Sequence, residues 1–195
     1  MVGDVAQLPA TVLSKVAIQH GYDVSLFLRL QRCGYPVWFL RTQYRMHPAI
    51  SEYPARCFYR DNLVNAEEIR EIAKRPLEEQ MPYYEHKCYQ PYMFFDVKGR
   101  TQTEVTAARS WKNVDEVQVI LTLYKELRRR YPDVDPSTVA VITPYKGQVA
   151  QLRRSFQAAV GAEEYRQLDI NTIDGFQGRE KDIVFFSCVR ARKRH

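Results

Sequence analysis

The chain has 195 residues, of which 45% are hydrophobic and 27% charged, and its 29 basic and 23 acidic residues give a net charge of +6. This composition is typical of a folded soluble domain, and the positive charge is compatible with a polyanionic partner without demonstrating one. No apolar stretch approaches the roughly 20 residues of a membrane span, which argues against a membrane protein. The four scattered cysteines form no C-x-x-C pair, which argues against a zinc site or a disulfide scaffold. Reduced thiols in an intracellular protein with no metal site are therefore expected.

The first part of the chain predicts short, interrupted elements. Its first residues resemble the end of a strand that runs into a Gly-Asp turn. Residues 15–32 are compatible with a helix broken near Gly21, and residues 37–40 are predicted as a short buried strand. Pro48 suits the first position of a helix, whereas Pro54 argues against a helix that continues through residue 59.

The middle of the chain predicts a solvated helix, a loop and a strand. The helix is expected over residues 65–74 because acidic side chains dominate there. Residues 75–90 are polar and interrupted by proline, which indicates a loop. Residues 92–97 are the next strand candidate, and residues 99–110 read as a polar linker.

The second part of the chain alternates strands with amphipathic helices. Asn113, followed three residues later by Glu116, predicts an N-cap with a reciprocating carboxylate, and apolar residues then recur at helical spacing as far as the three arginines at 128–130. Further elements are a helix at residues 148–159 and strands at residues 138–142, 168–173 and 183–189. Such alternation predicts an α/β fold with a mainly parallel sheet covered by helices.

Polar peptides follow four of the predicted strands. They are GDVAQL after Val2, RTQYRMHP after Leu40, TPYKGQ after Ile142 and DGFQGRE after Ile173. In open parallel sheets ligands bind beyond the carboxyl ends of the strands, and each peptide carries groups suited to phosphate, ribose or a nucleic-acid backbone. The sequence therefore predicts a ligand site built from these four loops.

Each candidate side chain in these loops also has an ordinary structural interpretation. Arg45 offers five donors to phosphate oxygens or takes part in a salt bridge. Tyr44 is a stacking platform or a packing residue, and His47 is an acid or base or simply a cap. Gln7 senses a phosphate or is a polar loop residue.

The same holds in the second part of the chain. Thr143 and Thr172 could donate to phosphate oxygens or merely end a strand. Gly178 allows close approach of a ligand or a positive φ, and Glu180 could accept from a ribose or remain solvated. The terminal RARKRH, from Arg190 onward, contacts nucleic acid or is a basic tail.

Taken in order, these peptides resemble the second half of a superfamily 1 helicase motor, in the group that includes senataxin and the nonsense-mediated-decay helicase. GDVAQLPATV resembles motif III, QYRMHPAISEYPARCFY the motif IV region and INTIDGFQGREKDIVFFSCVRA motif V. The resemblance implies a RecA-like P-loop NTPase fold with helices on both faces of a parallel sheet. It places the end of a first RecA-like domain and a linker in residues 1–32, and a second RecA-like domain, incomplete at its C-terminal end, in residues 33–195.

The resemblance also implies roles for individual residues. Gln7 and Arg45 would act on ATP phosphates as catalytic groups, with Arg45 stabilising transition-state charge as arginine fingers do. Tyr44 would pack beside the base, while Gly178 and Glu180 would hold the ribose. The residues implied to grip single-stranded nucleic acid are Thr143, Pro144, Tyr145, Thr172 and Arg190.

The chain departs from the family by containing no G-x-x-x-x-G-K-[ST] loop and no acidic Mg²⁺ motif. ATP and Mg²⁺ would thus be held mainly by an N-terminal RecA-like partner domain, and this chain alone is not expected to hydrolyse ATP. The implied partners are single-stranded RNA or DNA and RNA–DNA hybrids, with nuclear residence expected and the cytoplasm left open. Alternative interpretations are a non-catalytic nucleic-acid-binding or adaptor module and an inactive gene fragment.

Overall fold

The computed structural model describes residues 1–9, 11–98, 104–105 and 109–190. They form two compact units, the first made of the described residues within 1–85 and 89–92 and the second of those within 86–88 and 93–190. The basic tail after Arg190 and most of the linker predicted at residues 99–110 lie outside the described residues. Within the described part of the chain, no helix is long and apolar enough to cross a bilayer.

The first unit contains short helices and a two-stranded parallel sheet. Its helices are α1 (Lys15–Gln19), α2 (Leu26–Arg32), α3 (Pro48–Tyr59), α4 (Glu67–Ala73) and α5 (Leu77–Gln80). Strands β1 (Thr42–Gln43) and β2 (Val64–Asn65) pair in parallel, with Gln43 opposite Asn65. The 3₁₀ turn Pro82–Glu85 follows α5, and the next 3₁₀ turn, Lys87–Tyr89, includes residues of both units.

The helix predictions for this unit are confirmed at Gly21 and Pro48 and wrong at Pro54. Gly21 separates α1 from α2 with φ +72°, a left-handed conformation that glycine adopts without strain. Pro48 occupies the first turn of α3, as predicted. Pro54, however, lies inside α3, which runs unbroken to Tyr59. A proline there forfeits one i→i−4 hydrogen bond, and the cap at His47 and the remaining bonds keep the helix intact.

The strand predictions at residues 37–40 and 92–97 are wrong. Neither segment is a strand in the described structure, and Trp38 and Phe94 are 88% and 73% exposed. A strand needs a hydrogen-bonded neighbour, and β2 supplies one only further along the chain. The Val64 N–H donates to the Arg41 carbonyl and the Ala66 N–H to the Gln43 carbonyl. The carbonyls that β2 can reach therefore lie after residue 40.

The residues between β2 and the second unit are more helical than the sequence indicates. The solvated helix predicted at residues 65–74 is present as the shorter α4. The loop predicted at residues 75–90 is wrong, because α5 and two 3₁₀ turns occupy it. Two tyrosines of this segment, Tyr83 and Tyr89, are buried, which gives the turns apolar contacts that a solvated loop would lack.

The second unit is an α/β layer structure. Strands β3 (Glu104–Val105) and β4 (Trp111–Lys112) form an antiparallel pair. They are followed by α6 (Val114–Arg130), the 3₁₀ turn Pro136–Thr138, β5 (Val139–Thr143), α7 (Lys146–Ala159), α8 (Ala162–Gln167), β6 (Asp169–Thr172), α9 (Ile173–Phe176) and β7 (Ile183–Phe186). The helices and strands predicted for this region are confirmed, with bounds that differ by a few residues.

The main sheet of this unit is parallel, as predicted, and has β5 between β6 and β7. Thr143, the last residue of β5, is in register with Thr172, the last residue of β6. Since parallel strands end at the same edge of a sheet, the loops after β5, β6 and β7 meet there. The parallel α/β arrangement is consistent with the RecA-like fold expected from the sequence.

Helices α6 and α7 pack on the face of this sheet that carries Val139 and Val141. The Tyr124 and Phe156 rings, both fully buried, have centroids 5.4 Å apart at the centre of this core. Burying a large apolar side chain contributes about 1.5–3 kcal/mol to stability. Because α6 buries one face, its apolar residues recur at helical spacing, and this pattern predicts the helix from the sequence. Other members of the core are Val117, Ile120, Leu121, Val149, Leu152, Leu168 and Ile170.

Candidate functional site

The peptide QYRMHP forms a turn that the side chain of Gln43 holds closed. Gln43 Oε1 accepts hydrogen bonds from the backbone N–H groups of Arg45, at 2.9 Å, and Met46, at 2.7 Å. Gln43 Nε2 donates to the Met46 carbonyl at 2.7 Å and to Asn65 Oδ1 at 2.5 Å. Gln43 is buried, so these bonds are shielded from water. The backbone on both sides of Tyr44 and Arg45 is therefore fixed.

The far end of this turn is fixed by His47, which caps α3. Its Nδ1 accepts from the Ala49 N–H at 3.1 Å, so the ring proton lies on Nε2 and is donated to Gln80 Oε1, also at 3.1 Å. Burial lowers the pKa of His47, and the bond to Gln80 opposes that shift without cancelling it. The neutral ring is the form that can cap a helix, so the interpretation of His47 as a cap is confirmed.

Arg45 lines a cavity of about 390 Å³ within the first unit. Gln7 lines the same cavity, so two of the residues predicted to act on phosphates lie on one surface. The cavity is also lined by Asp4, Phe39, Leu40, Met46, Pro54, Tyr59 and Leu63. Tyr44 is not among these lining residues, and its side chain is 69% exposed.

Asp4 orders the polar wall of this cavity. Its Oδ1 accepts from the Ala6 N–H at 2.9 Å, while its Oδ2 accepts from Gln7 Nε2 at 2.9 Å and from the Tyr59 hydroxyl at 2.7 Å. Burial favours the neutral carboxyl, but these three donors favour the carboxylate more strongly and lower the pKa of Asp4. The amide of Gln7 is therefore held against a charged carboxylate.

Two residues that line the cavity carry hydrogen-bond donors. The guanidinium of Arg45 and the amide of Gln7 are groups that phosphate oxygens accept from. The carboxylate of Asp4, in contrast, already accepts three hydrogen bonds. Among the described residues, no group of three or more His, Cys, Asp or Glu side chains could hold a metal ion. The lining therefore combines two donor side chains, those of Gln7 and Arg45, with one carboxylate, that of Asp4.

The predicted ribose-binding residues belong to the second unit. Gly178 has φ +79°, and a Cβ built on it would meet no atom within 4 Å, so glycine is required by conformation and leaves open space. Glu180, two residues later, is exposed. Gly175 is needed for another reason, because a Cβ there would lie 2.4 Å from Asn171 Oδ1.

Thr172 and Thr143 end neighbouring strands but have different surroundings. Thr172 Oγ1 accepts from the Gly175 N–H at 3.1 Å and so begins α9. Thr143 is fully buried, and within the described structure its hydroxyl has no hydrogen-bond partner. Leaving a buried hydroxyl unpaired costs about 1–3 kcal/mol. After Thr143 come Pro144, which is exposed, and Tyr145, which is half-buried and precedes α7.

A buried polar network after β7 was missed by the sequence interpretation. Asn113 caps α6 as predicted, with its Oδ1 accepting from the Glu116 N–H at 3.2 Å. The Glu116 carboxylate reciprocates as predicted, but from the Asn113 side chain, whose Nδ2 donates to Glu116 Oε1 at 3.2 Å, because the Asn113 backbone N–H donates to Gln148 Oε1 at 2.8 Å. Glu116 Oε2 accepts from the Ser187 hydroxyl at 2.6 Å and the Val189 N–H at 2.9 Å. The partners are more than 70 positions away in the chain, so no local pattern indicated them.

Arg190, predicted to contact nucleic acid, follows this network directly. Its guanidinium carbon lies 4.7 Å from the centre of the Trp111 ring, a cation–π distance. Arg190 is exposed and Trp111 is half-buried. No local sequence pattern pairs them, because Trp111 precedes Arg190 by most of the length of the second unit.

A family model described as AAA domain matches residues 22–195. The probable helicase MAGATAMA 3 of Arabidopsis thaliana is 43% identical over 195 residues, which are 99% of this chain and 23% of that protein. Helicase sen1 of Schizosaccharomyces pombe is 40% identical over 197 residues, 100% of this chain and 11% of that protein. The regulator of nonsense transcripts 1 homolog of Drosophila melanogaster is 34% identical over 199 residues, 100% of this chain and 16% of that protein. The chain thus spans less than a quarter of each relative's length.

Proposed function

The chain belongs to the AAA domain family, in the superfamily 1 group of senataxin-like helicases, and we propose on that premise that it is the second RecA-like domain of an ATP-dependent RNA/DNA helicase. Residues 33–195 form this domain, and residues 1–32 are the end of the first RecA-like domain and the linker. The domain contributes phosphate and ribose contacts to ATP and backbone contacts to single-stranded nucleic acid. It does so with residues of the QYRMHP turn, the loop after β5 and the DGFQGRE peptide.

The observation that carries this proposal is the common cavity of Gln7 and Arg45. Two side chains separated by almost forty positions line one cavity. Gln43 fixes the backbone at Arg45, and Asp4 holds the amide of Gln7. In phosphoryl transfer the protein contributes mainly positioning and charge stabilisation, which an arginine and a glutamine that line one cavity can supply. Bound ATP supplies the phosphoryl group whose charge Arg45 offsets.

The exposed Tyr44 would pack beside the base, and Glu180 would accept from the ribose hydroxyls with Gly178 leaving room. The proposal includes a division of labour in which the Mg²⁺ is held by an N-terminal RecA-like partner domain. Because this chain contains no G-x-x-x-x-G-K-[ST] loop, we expect no ATP turnover from it alone.

The nucleic-acid contacts are proposed for the carboxyl edge of the parallel sheet. Pro144 and Tyr145 follow β5, Thr172 ends β6 and Arg190 follows β7, so their loops meet at one edge. The Thr143 hydroxyl is enclosed. It can donate to a phosphate only if nucleic-acid binding moves the residues that cover it. Single-stranded RNA or DNA and RNA–DNA hybrids are the proposed substrates, and nuclear RNA processing is the proposed setting.

Two measurements on the purified chain test this function. Fluorescence anisotropy with a labelled single-stranded RNA should give an affinity that falls with salt, with a log–log slope of about −0.7 for each phosphate contact. An ATPase assay with RNA should give no turnover above a buffer blank. No binding at low salt would contradict the nucleic-acid role, and turnover abolished by Arg45→Ala would contradict the dependence on a partner domain.

A further inference from the structure

The turn that follows β7 is held in a strained conformation by a buried carboxylate. Val189 has φ +64°, which is rare for a residue branched at Cβ, and its side chain is fully buried. Such a conformation costs on the order of 1–3 kcal/mol and persists only where surrounding bonds impose it. The bonds that impose it include the one that the Val189 N–H donates to Glu116 Oε2 at 2.9 Å, the one that the Val189 carbonyl accepts from Asn113 Nδ2 at 3.4 Å, and the one that the Arg190 N–H donates to the Cys188 carbonyl at 2.7 Å.

Glu116 is itself fixed on every side that the described structure shows. Its backbone N–H donates to Asn113 Oδ1, and its Oε1 accepts from Asn113 Nδ2 at 3.2 Å. The Ser187 hydroxyl, which donates to Glu116 Oε2, accepts in turn from Gln148 Nε2 at 2.9 Å. The network therefore joins the start of α6, the start of α7 and the end of β7. A carboxylate paired with several donors in a buried site holds its neighbours rigidly.

The residue delivered by this turn is Arg190, whose guanidinium lies over the Trp111 indole. An arginine stacked on an aromatic face has lost much of its side-chain freedom before any ligand binds, so less entropy is lost on binding. Its N–H groups lie in the plane of the guanidinium and suit a phosphate oxygen, and the residue is exposed.

The pair also lies beside the proposed nucleic-acid loop. The Gly147 N–H donates to Ser110 Oγ at 2.9 Å, which joins the chain just before Trp111 to the first turn of α7. That turn follows directly on Tyr145. The Ser187 N–H donates to the Ile142 carbonyl at 2.9 Å, which keeps the end of β7 beside the end of β5. Trp111 and Arg190 thus extend the carboxyl-edge surface.

We propose that Trp111 and Arg190 form a preorganised phosphate-binding contact for single-stranded nucleic acid, and that Glu116 is a positioning residue that sets Arg190 through the backbone of Val189. The inference rests on the proposed function of this edge of the sheet. It adds two residues, Trp111 and Glu116, that the sequence interpretation did not assign to binding.

The test measures single-stranded RNA affinity of the full 195-residue chain as a function of salt. Arg190→Gln should weaken binding about fivefold at low salt and reduce the magnitude of the log–log salt slope by about 0.7, the loss of one phosphate contact. Trp111→Leu should weaken binding to a smaller extent. Glu116→Ala should act like Arg190→Gln, and the double variant should bind no worse than either single variant. Glu116→Gln, whose amide oxygen can still accept from Ser187 and Val189 although its amide nitrogen cannot accept from Asn113 Nδ2, should weaken binding less than Glu116→Ala.

A matched control separates positioning from general destabilisation. Tyr124 lies on α6, away from Glu116, and its hydroxyl donates a 2.5 Å hydrogen bond to Glu164 Oε1. Tyr124→Phe removes that bond. Its effect on RNA affinity should be small and additive with Arg190→Gln. In a Trp38→Phe background, which leaves Trp111 as the only tryptophan, the fluorescence of Trp111 should change with Glu116→Ala and not with Tyr124→Phe.

Three results would overturn the inference. The first is a Glu116→Ala effect on affinity that adds to that of Arg190→Gln, and the second is an unchanged salt slope in Arg190→Gln. The third, which applies if Glu116→Ala does not fold, is an RNA affinity of Trp111→Leu equal to that of the wild-type chain. In each of these cases the wild-type chain still binds RNA, so the proposed function stands. A wild-type chain that binds no RNA would contradict both.

Discussion

The Tyr59 hydroxyl donates a 2.7 Å hydrogen bond to Asp4 Oδ2, the same oxygen that accepts from the Gln7 amide. One residue at the end of α3 thereby orders the carboxylate that holds Gln7 at the cavity, although Asp4 and Tyr59 are 55 positions apart. In the proposed motor this bond joins the motif III segment to the helix behind the QYRMHP turn. A movement of α3 would therefore change the positions of Arg45 and Gln7 together.

Tyr59→Phe should weaken this arrangement in a way that titration detects. Since the bond from Tyr59 helps to lower the pKa of Asp4, its loss should move that pKa upward, as measured by NMR of the Asp4 carboxyl carbon. A carboxyl group whose pKa is lowered by folding stabilises the fold at pH values above its ordinary pKa of 3.8. This stabilisation is lost as the pH falls through the pKa of the group in the folded chain. The variant should thus lose part of the stability that Asp4 contributes near neutral pH. Tyr53→Phe, an exposed change on the same helix, is the control and should leave Asp4 unchanged.

Gln43→Ala should destabilise the turn that carries Arg45. The substitution leaves the Arg45 and Met46 N–H groups without their acceptor in a buried site, at a cost of about 2 kcal/mol. Urea unfolding followed by circular dichroism measures this cost. The matched change Gln31→Ala, at an exposed position of α2, should have an effect near zero. Equal effects of the two substitutions would show that the Gln43 side chain does not hold the turn.

His47 should make the stability of the fold depend on pH. Its pKa in the folded chain lies below the ordinary 6.5, so the unfolded chain takes up the proton first as the pH falls. Its contribution is complete above pH 6.5 and declines as the pH falls from there towards and through the folded pKa. His47→Asn keeps a capping side chain and should remove this part of the decline between pH 7.5 and 5.5, as seen in urea titrations. The exposed His20→Asn is the comparison, and identical pH profiles for both variants would contradict the role of His47.

Thr143→Val should stabilise the chain. The change replaces an enclosed, unpaired hydroxyl with a methyl group of similar size and should add about 1 kcal/mol, or ~2–4 °C in melting temperature for a chain of this length. If the hydroxyl is kept for a nucleic-acid phosphate, the stabilised variant should also bind single-stranded RNA more weakly. Thr122→Val, at an exposed position of α6, should change neither quantity appreciably. A stabilised variant with unchanged RNA affinity would remove Thr143 from the proposed interface.

The features that the sequence predicted well depend on short-range patterns. The long helix α6 has an N-cap at Asn113, apolar residues at helical spacing and arginines in its last turn. All three signals lie within one continuous stretch of 18 residues. The parallel sheet follows from the alternation of such helices with apolar strands. Gly21 and Pro48 act through backbone conformation alone, so their effects were predictable without knowledge of neighbours.

The features that the sequence did not predict depend on distant partners. The apolar residues 37–40 fit a strand, but pairing is decided by β2, whose hydrogen bonds reach the chain only at Arg41 and Gln43. Glu116 matched a capping pattern, yet its carboxylate bonds to Ser187 and Val189. Gln43 holds its own turn and also bonds to Asn65, and no common motif marks a glutamine for that task. Arg45 and Gln7 were named by resemblance, and their common cavity came from the fold.

The measurement that tests the account most directly concerns Arg45 inside a complete motor. The chain would replace the matched 197-residue segment of helicase sen1 of Schizosaccharomyces pombe, and ATP-dependent strand separation would be compared between the unsubstituted graft and its Arg45→Ala form. Arg56→Ala, an exposed arginine of α3, is the control. We expect the unsubstituted graft and the control to separate strands, and Arg45→Ala to lose activity by about 10³-fold or more while RNA affinity is retained. Strand separation by Arg45→Ala at the rate of the Arg56→Ala control would contradict the account.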